Sequence, residues 1–114
     1  MQLDEIAALR NRICPDALLH VDGVQGFLRL PVDMRKTGID SYALSGHKIH
    51  APKGIGALVT SNRVRLAPRA LGGGQEKTLR SGTENTPGIA GLNCCASIYP
   101  KNAAEKLMAL KIRL

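Results

Sequence analysis

The densest concentration of chemistry-bearing side chains in this sequence is Ser45-Gly46-His47-Lys48-Ile49-His50-Ala51-Pro52-Lys53-Gly54, which sets a hydroxyl, two imidazoles and an ammonium within six residues. A solvated loop rarely needs that set. A lysine after a strand is ordinarily just a surface charge. An ammonium held near other cations and partly desolvated, however, gives up its proton more readily, and a neutral amine is what a Schiff-base lysine requires. Lys48 has such neighbours; Lys53 lacks them and reads as structural.

A second group is His20-Val21-Asp22-Gly23-Val24-Gln25, a carboxylate at the end of a short apolar run with an amide three residues on. In open α/β sheets, ligands bind beyond the carboxyl ends of strands. Asp22 either caps the turn that follows it or, in a functional role, faces a cation such as a protonated ring nitrogen. The third group is Gly72-Gly73-Gly74-Gln75-Glu76 with Arg80-Ser81-Gly82-Thr83-Glu84-Asn85. Consecutive glycines permit close backbone approach, and Arg80, Ser81 and Thr83 are donors suited to a phosphate or carboxylate. The spacing does not match a Walker A loop.

The elements that must position these groups can be read from periodicity. Leu3, Ile6, Ala7, Leu9 and Ile13 recur at helical spacing, with acids early and arginines late, which predicts a helix over 3–13 stopped by Cys14-Pro15. Ala17 to Val21 predicts a strand buried on both faces and ending at Asp22-Gly23. Pro31 to Gly38 reads as a short helix closed by Gly38, and Ser41 to Leu44 as a second strand; strand, helix, strand implies a parallel crossover. Ile55 to Thr60 is a third strand, thinned at Gly56.

Residues 62–86 carry too many breakers for a long regular element. A helix over 87–98 is expected, with Thr86 as its N-cap and Pro87 in its first turn, ended by Pro100. A last helix starts near Asn102 and keeps its period through Leu107, Leu110 and Leu114 with no terminator. The expected class is therefore α/β, three strands with flanking helices. So few strands predict a piece of a larger domain, with the remainder outside both ends.

Composition narrows the function classes. The chain has 114 residues, 44% hydrophobic and 22% charged, an ordinary globular balance. No apolar run approaches the roughly 20 residues that cross a bilayer, so no membrane role is expected. Three cysteines, Cys14, Cys94 and Cys95, are an odd number with an adjacent pair, which fits reduced thiols in a cytoplasmic setting. Cys94 and Cys95, among Ile89, Leu92 and Ile98, read as buried small residues. No metal-ligand spacing is present. The net charge of +7 raises a nucleic-acid alternative, but the Lys and Arg residues are diffuse and only Phe27, Tyr42 and Tyr99 are aromatic. No nucleic-acid partner is expected.

Taken in order, Val21-Asp22-Gly23-Val24-Gln25, Ser45-Gly46-His47-Lys48 with Pro52-Lys53-Gly54, and the Gly72 to Asn85 loop resemble the NifS/IscS-type cysteine desulfurases. These belong to the class V aminotransferase group of fold-type I pyridoxal-phosphate enzymes. The resemblance extends from about Ile6 to Leu92. It implies that residues 1–114 are a fragment of the cofactor-binding large domain of an aspartate aminotransferase-like fold.

By the same resemblance the cofactor is pyridoxal 5'-phosphate, and Lys48 is the catalytic lysine that holds it as a Schiff base and moves protons at the substrate carbon. Asp22 corresponds to the carboxylate paired with the pyridinium nitrogen, and Gln25 to the residue bonding the ring hydroxyl oxygen. Ser45 and His47 resemble phosphate ligands. Thr83 resembles the residue that reaches the phosphate of the partner subunit's cofactor, which implies a homodimer.

The implied reaction converts the amino acid L-cysteine to L-alanine and passes sulfur, as a persulfide, toward an acceptor protein in iron-sulfur cluster assembly. A selenocysteine lyase or an aminotransferase of the same class is the near alternative. Several family features have no counterpart here: the upstream phosphate loop, the ring-stacking histidine and its neighbouring asparagine, the persulfide cysteine, and the arginine that grips the substrate carboxylate. The isolated chain is expected to be inactive. Gly23 and Ala51 stand where Ala and Gly are common; Ala51 would be strained only if its φ were positive.

Overall fold

The first helix, α1 (Leu3–Ile13), forms where the periodicity places it. The Gln2 backbone N–H donates to the Glu5 carboxylate at 3.1 Å, and Asp4 and Glu5 lie at the positive end of the helix dipole. The computed structural model describes residues 2–113. After α1 come β1 (His20–Asp22), α2 (Met34–Thr37) and β2 (Ser41–Ser45), then a 3-10 turn (Gly46–Ile49) and β3 (Gly56–Thr60). A distorted turn (Gln75–Thr78) precedes α3 (Thr86–Ile98) and α4 (Ala103–Arg113).

The three strands form one mixed sheet in the order β1-β2-β3. β1 and β2 are parallel, with Asp22 beside Ala43, and β2 and β3 are antiparallel, with Ser45 beside Gly56. The crossover passes through α2. Asp33 caps α2 by accepting from the Arg35 and Lys36 N–H groups at 3.0 and 3.2 Å, and Gly38 closes it at φ 69°.

A buried carboxylate fastens α1 to the sheet. Asp40, 2% exposed, accepts from Arg10 at 3.1 Å, the Leu19 N–H at 2.9 Å and the Ser61 hydroxyl at 3.3 Å, with Arg63 at 3.6 Å. Burial opposes its ionisation. The Leu19 hydrogen bond, the Arg63 and Arg10 charges and the Ser61 hydroxyl outweigh that, leaving its pKa below the ordinary carboxylate value.

Several expectations are corrected. β1 is His20–Asp22, not Ala17 to Val21: Ala17 donates to the Cys14 carbonyl in a turn, and Leu19 is taken up by Asp40. Nor is β1 buried on both faces, since His20 and Asp22 are exposed. Thr86 is not the cap of α3 but its first residue; the cap is Asn85, whose side-chain oxygen accepts from the Gly88 N–H at 3.0 Å. Cys94 is exposed and Cys95 half-buried, so neither is the buried small residue expected. β3 is exposed along its whole length, with Leu58 49% and Val59 46% accessible.

Candidate active site

Parallel pairing of β1 with β2 is what gathers the candidate residues. Partners in register project to the same face, so Asp22, beside Ala43, shares a face with Ser45 two residues further along β2. Both lie at the carboxyl ends of their strands. The Asp22 carboxylate accepts from the Val24 N–H at 2.9 Å, so the capping role is real and occupies one oxygen. The second oxygen stays available at an exposed position. Asp22 also acts on Tyr42, whose hydroxyl is held above its ordinary pKa first by burial and then by the carboxylate's charge.

Beyond Ser45 the chain tightens into the 3-10 turn that carries His47 and Lys48. Ser45 Oγ and His47 Nδ1 share a hydrogen bond of 2.8 Å, joining a hydroxyl and an imidazole into one polar unit. Gly46 is required here, because a β-carbon on it would lie 2.8 Å from Ile55 Cγ2 and 3.1 Å from Ala51 Cβ. Ile49, 1% exposed, anchors the turn from beneath. The left-handed residue is His50, at φ 70°; Ala51 is not among the positive-φ residues, so alanine there carries no strain.

Arg29 ties this turn to the loop after β1. Its guanidinium donates to the Lys48 carbonyl at 2.8 Å, to Gln25 Oε1 at 3.2 Å and, through Nε, to the Tyr99 hydroxyl at 3.2 Å. Tyr99 in turn stacks on His50, with ring centroids 6.4 Å apart. Gly91 lets α3 approach, since a β-carbon there would meet Pro52 Cδ at 2.8 Å.

The structure thus brings Asp22, Gln25, Ser45, His47 and Lys48 to one end of the β1–β2 pair. It does not bring Thr83, which is exposed in the segment before α3 and joins none of this cluster's hydrogen bonds. Sequence reasoning missed Arg29 and Tyr99. The Gln25–Arg29 spacing of four residues was the one available signal, and it carries weight only in a helical turn. No group of three or more metal-ligating side chains forms among the described residues. No helix there is long and apolar enough to cross a membrane.

A lysine and a carboxylate stand at the carboxyl edge of an α/β sheet, where open α/β folds bind their ligands. The family described as Aminotransferase class-V matches residues 1–114. A cysteine desulfurase of a Nostoc species is 48% identical over 101 residues, which are 86% of this chain and 25% of that protein. A putative cysteine desulfurase IscS 1 of Bacillus subtilis is 44% identical over 90 residues, 79% of this chain and 24% of the relative. Among solved structures, a NifS-like protein from Rickettsia africae superposes with a TM-score of 0.81 at 39% identity, covering 90% of this chain and 28% of its own. The chain belongs to the class-V aminotransferase family, a family of pyridoxal-phosphate enzymes. It spans about a quarter of the length of these relatives.

Proposed function

We propose that this chain is the lysine-bearing segment of a pyridoxal-phosphate-dependent cysteine desulfurase. The observation that carries the reading is the placement of Asp22, Ser45, His47 and Lys48 at the carboxyl ends of two parallel strands, with Asp22 and Ser45 on one face. The donor set suits the cofactor's chemistry: a carboxylate for a ring nitrogen, an amide for a ring oxygen, a hydroxyl and imidazole for a phosphate, and an amine for an aldehyde. When bound, the cofactor supplies an electron sink for charge at the substrate carbon.

Each residue has a task its environment permits. Asp22, with one oxygen held by the Val24 N–H, would offer the other to the ring nitrogen and favour its protonated form. Ser45 and His47, already joined, offer their remaining hydrogen-bonding capacity to the phosphate. Gln25 binds the ring oxygen. Lys48 would hold the cofactor through its amine, and the same amine would move the proton at the substrate carbon. Thr83, outside this cluster, serves the partner subunit's cofactor in a homodimer. L-cysteine is the substrate, L-alanine the product, and the sulfur passes as a persulfide toward an acceptor protein in the cytoplasm. The parts of the site outside this chain come from the remaining three-quarters of the family's length.

Replacement of the matching segment of the Bacillus subtilis relative with residues 6–92 of this chain tests the reading. The chimera is expected to show the visible absorbance of bound cofactor and to fix it covalently with borohydride. Both should vanish in Lys48→Ala. Borohydride-fixed cofactor that survives Lys48→Ala would overturn the assignment.

A further inference from the structure

We infer that Arg29 is a positioning residue of this site, setting both the orientation of the Gln25 amide and the position of the Lys48 turn. The inference deepens the cofactor-binding reading above and rests on it. Arg29 is half-buried, yet the ion pairs among the described residues join Asp40 to Arg10 and Arg63 and leave Arg29 out. Its contacts are to neutral oxygens: the Lys48 carbonyl, Gln25 Oε1, the Gln25 carbonyl at 3.4 Å and the Tyr99 hydroxyl. Taking a guanidinium partly out of water without a counter-charge is costly. A cation spent on three separate segments fixes their geometry in return.

Two consequences for the site follow from donor and acceptor chemistry. A guanidinium only donates, so it holds Gln25 by the amide oxygen. That leaves the amide NH2 as the end open to a ligand, and a ring oxygen needs a donor. Arg29 therefore selects the end of Gln25 that can bind. The same group grips the main chain of Lys48 itself at 2.8 Å, within a four-residue turn whose other end is fixed by Gly46. The planar fork serves the two from separate nitrogens, whereas an ammonium would have to serve both from a single atom.

The test uses the full chain, treated with pyridoxal phosphate and borohydride, with label at Lys48 and Lys53 compared by peptide mass spectrometry. Lys53 is exposed and outside the Arg29 contacts, so it serves as an internal reference. The folded chain is expected to label Lys48 over Lys53 well above the ratio of the guanidinium-unfolded chain. In Arg29→Gln that preference should fall by about tenfold, the lower range for losing a hydrogen bond to a charged group, while far-UV circular dichroism is unchanged. Arg29→Lys should recover only part of it.

Should Arg29→Gln fail to fold, Tyr99→Phe removes the Nε acceptor alone and should lower the preference by a smaller step. Undiminished Lys48 preference in a folded Arg29→Gln chain, or in Tyr99→Phe where that chain does not fold, would overturn the positioning role and leave the cofactor reading intact. Equal labelling of Lys48 and Lys53 in the folded wild-type chain would overturn the cofactor reading, and this inference with it.

Discussion

Gly23 and Tyr42 compete for one space: a β-carbon on Gly23 would fall inside the Tyr42 ring, whose hydroxyl reaches the Gly23 carbonyl at 3.5 Å. Tyr42 is 6% exposed, so the ring is held inside the fold at this contact. Glycine at this position, where the resembling family favours alanine, is therefore the complement of a tyrosine on the neighbouring strand. Gly23→Ala is expected to destabilise the chain by about 1–3 kcal/mol, the range for overpacking. The cost should shrink markedly in a Tyr42→Leu background. A double-mutant cycle in urea checks this, and equal costs in both backgrounds would exclude the clash as the cause.

The Asp40 cluster makes stability acid-sensitive in a definite direction. Its pKa is lowered in the folded chain, so its contribution is present above the unfolded value of about 3.9 and is lost as pH falls through the folded value. Urea midpoints should hold steady near neutrality and drop below about pH 4. Asp40→Asn should cost about 3 kcal/mol at neutral pH, since it leaves the Arg10 guanidinium without its counter-charge. A variant as stable as the parent would show that the pair is dispensable.

At Asp22 the substitution to asparagine separates charge from geometry. The amide keeps an oxygen for the Val24 N–H, so the turn should persist. In the full-length chimera, Asp22→Asn is expected to bind cofactor but to lose one to two powers of ten in turnover, the effect of about 1.5–3 kcal/mol from one charge-assisted bond. Near-normal turnover would remove Asp22 from the site.

For the isolated chain, supplied with pyridoxal phosphate and L-cysteine, sulfide release should not exceed that of free cofactor. Leu58, Val59, Ile89 and Leu110 are all more than two-fifths exposed, and apolar surface of this kind promotes association. Self-association in sedimentation is the expected companion result. Lysine-dependent turnover by the isolated, monomeric chain would contradict it.

Local chemistry was legible in the sequence wherever the deciding forces are local. Helix 3–13 follows from apolar periodicity, the end of α2 from a glycine free to take φ 69°, and the parallel crossover from strand, helix, strand order. Asp22, Gln25, Ser45, His47 and Lys48 could be singled out because their side-chain types cluster just past apolar runs. Tertiary structure decided what depends on distant partners. β1 begins at His20 because Leu19 is claimed by Asp40, 21 residues away. Cys94 is exposed, although Ile89, Leu92 and Ile98 on the same helix are apolar. Arg29 matters through Lys48 and Tyr99, at separations of 19 and 70 residues. Periodicity records which face of an element is apolar; it carries no information on which remote carbonyl a guanidinium will meet, since only the closed chain brings the two within hydrogen-bonding distance.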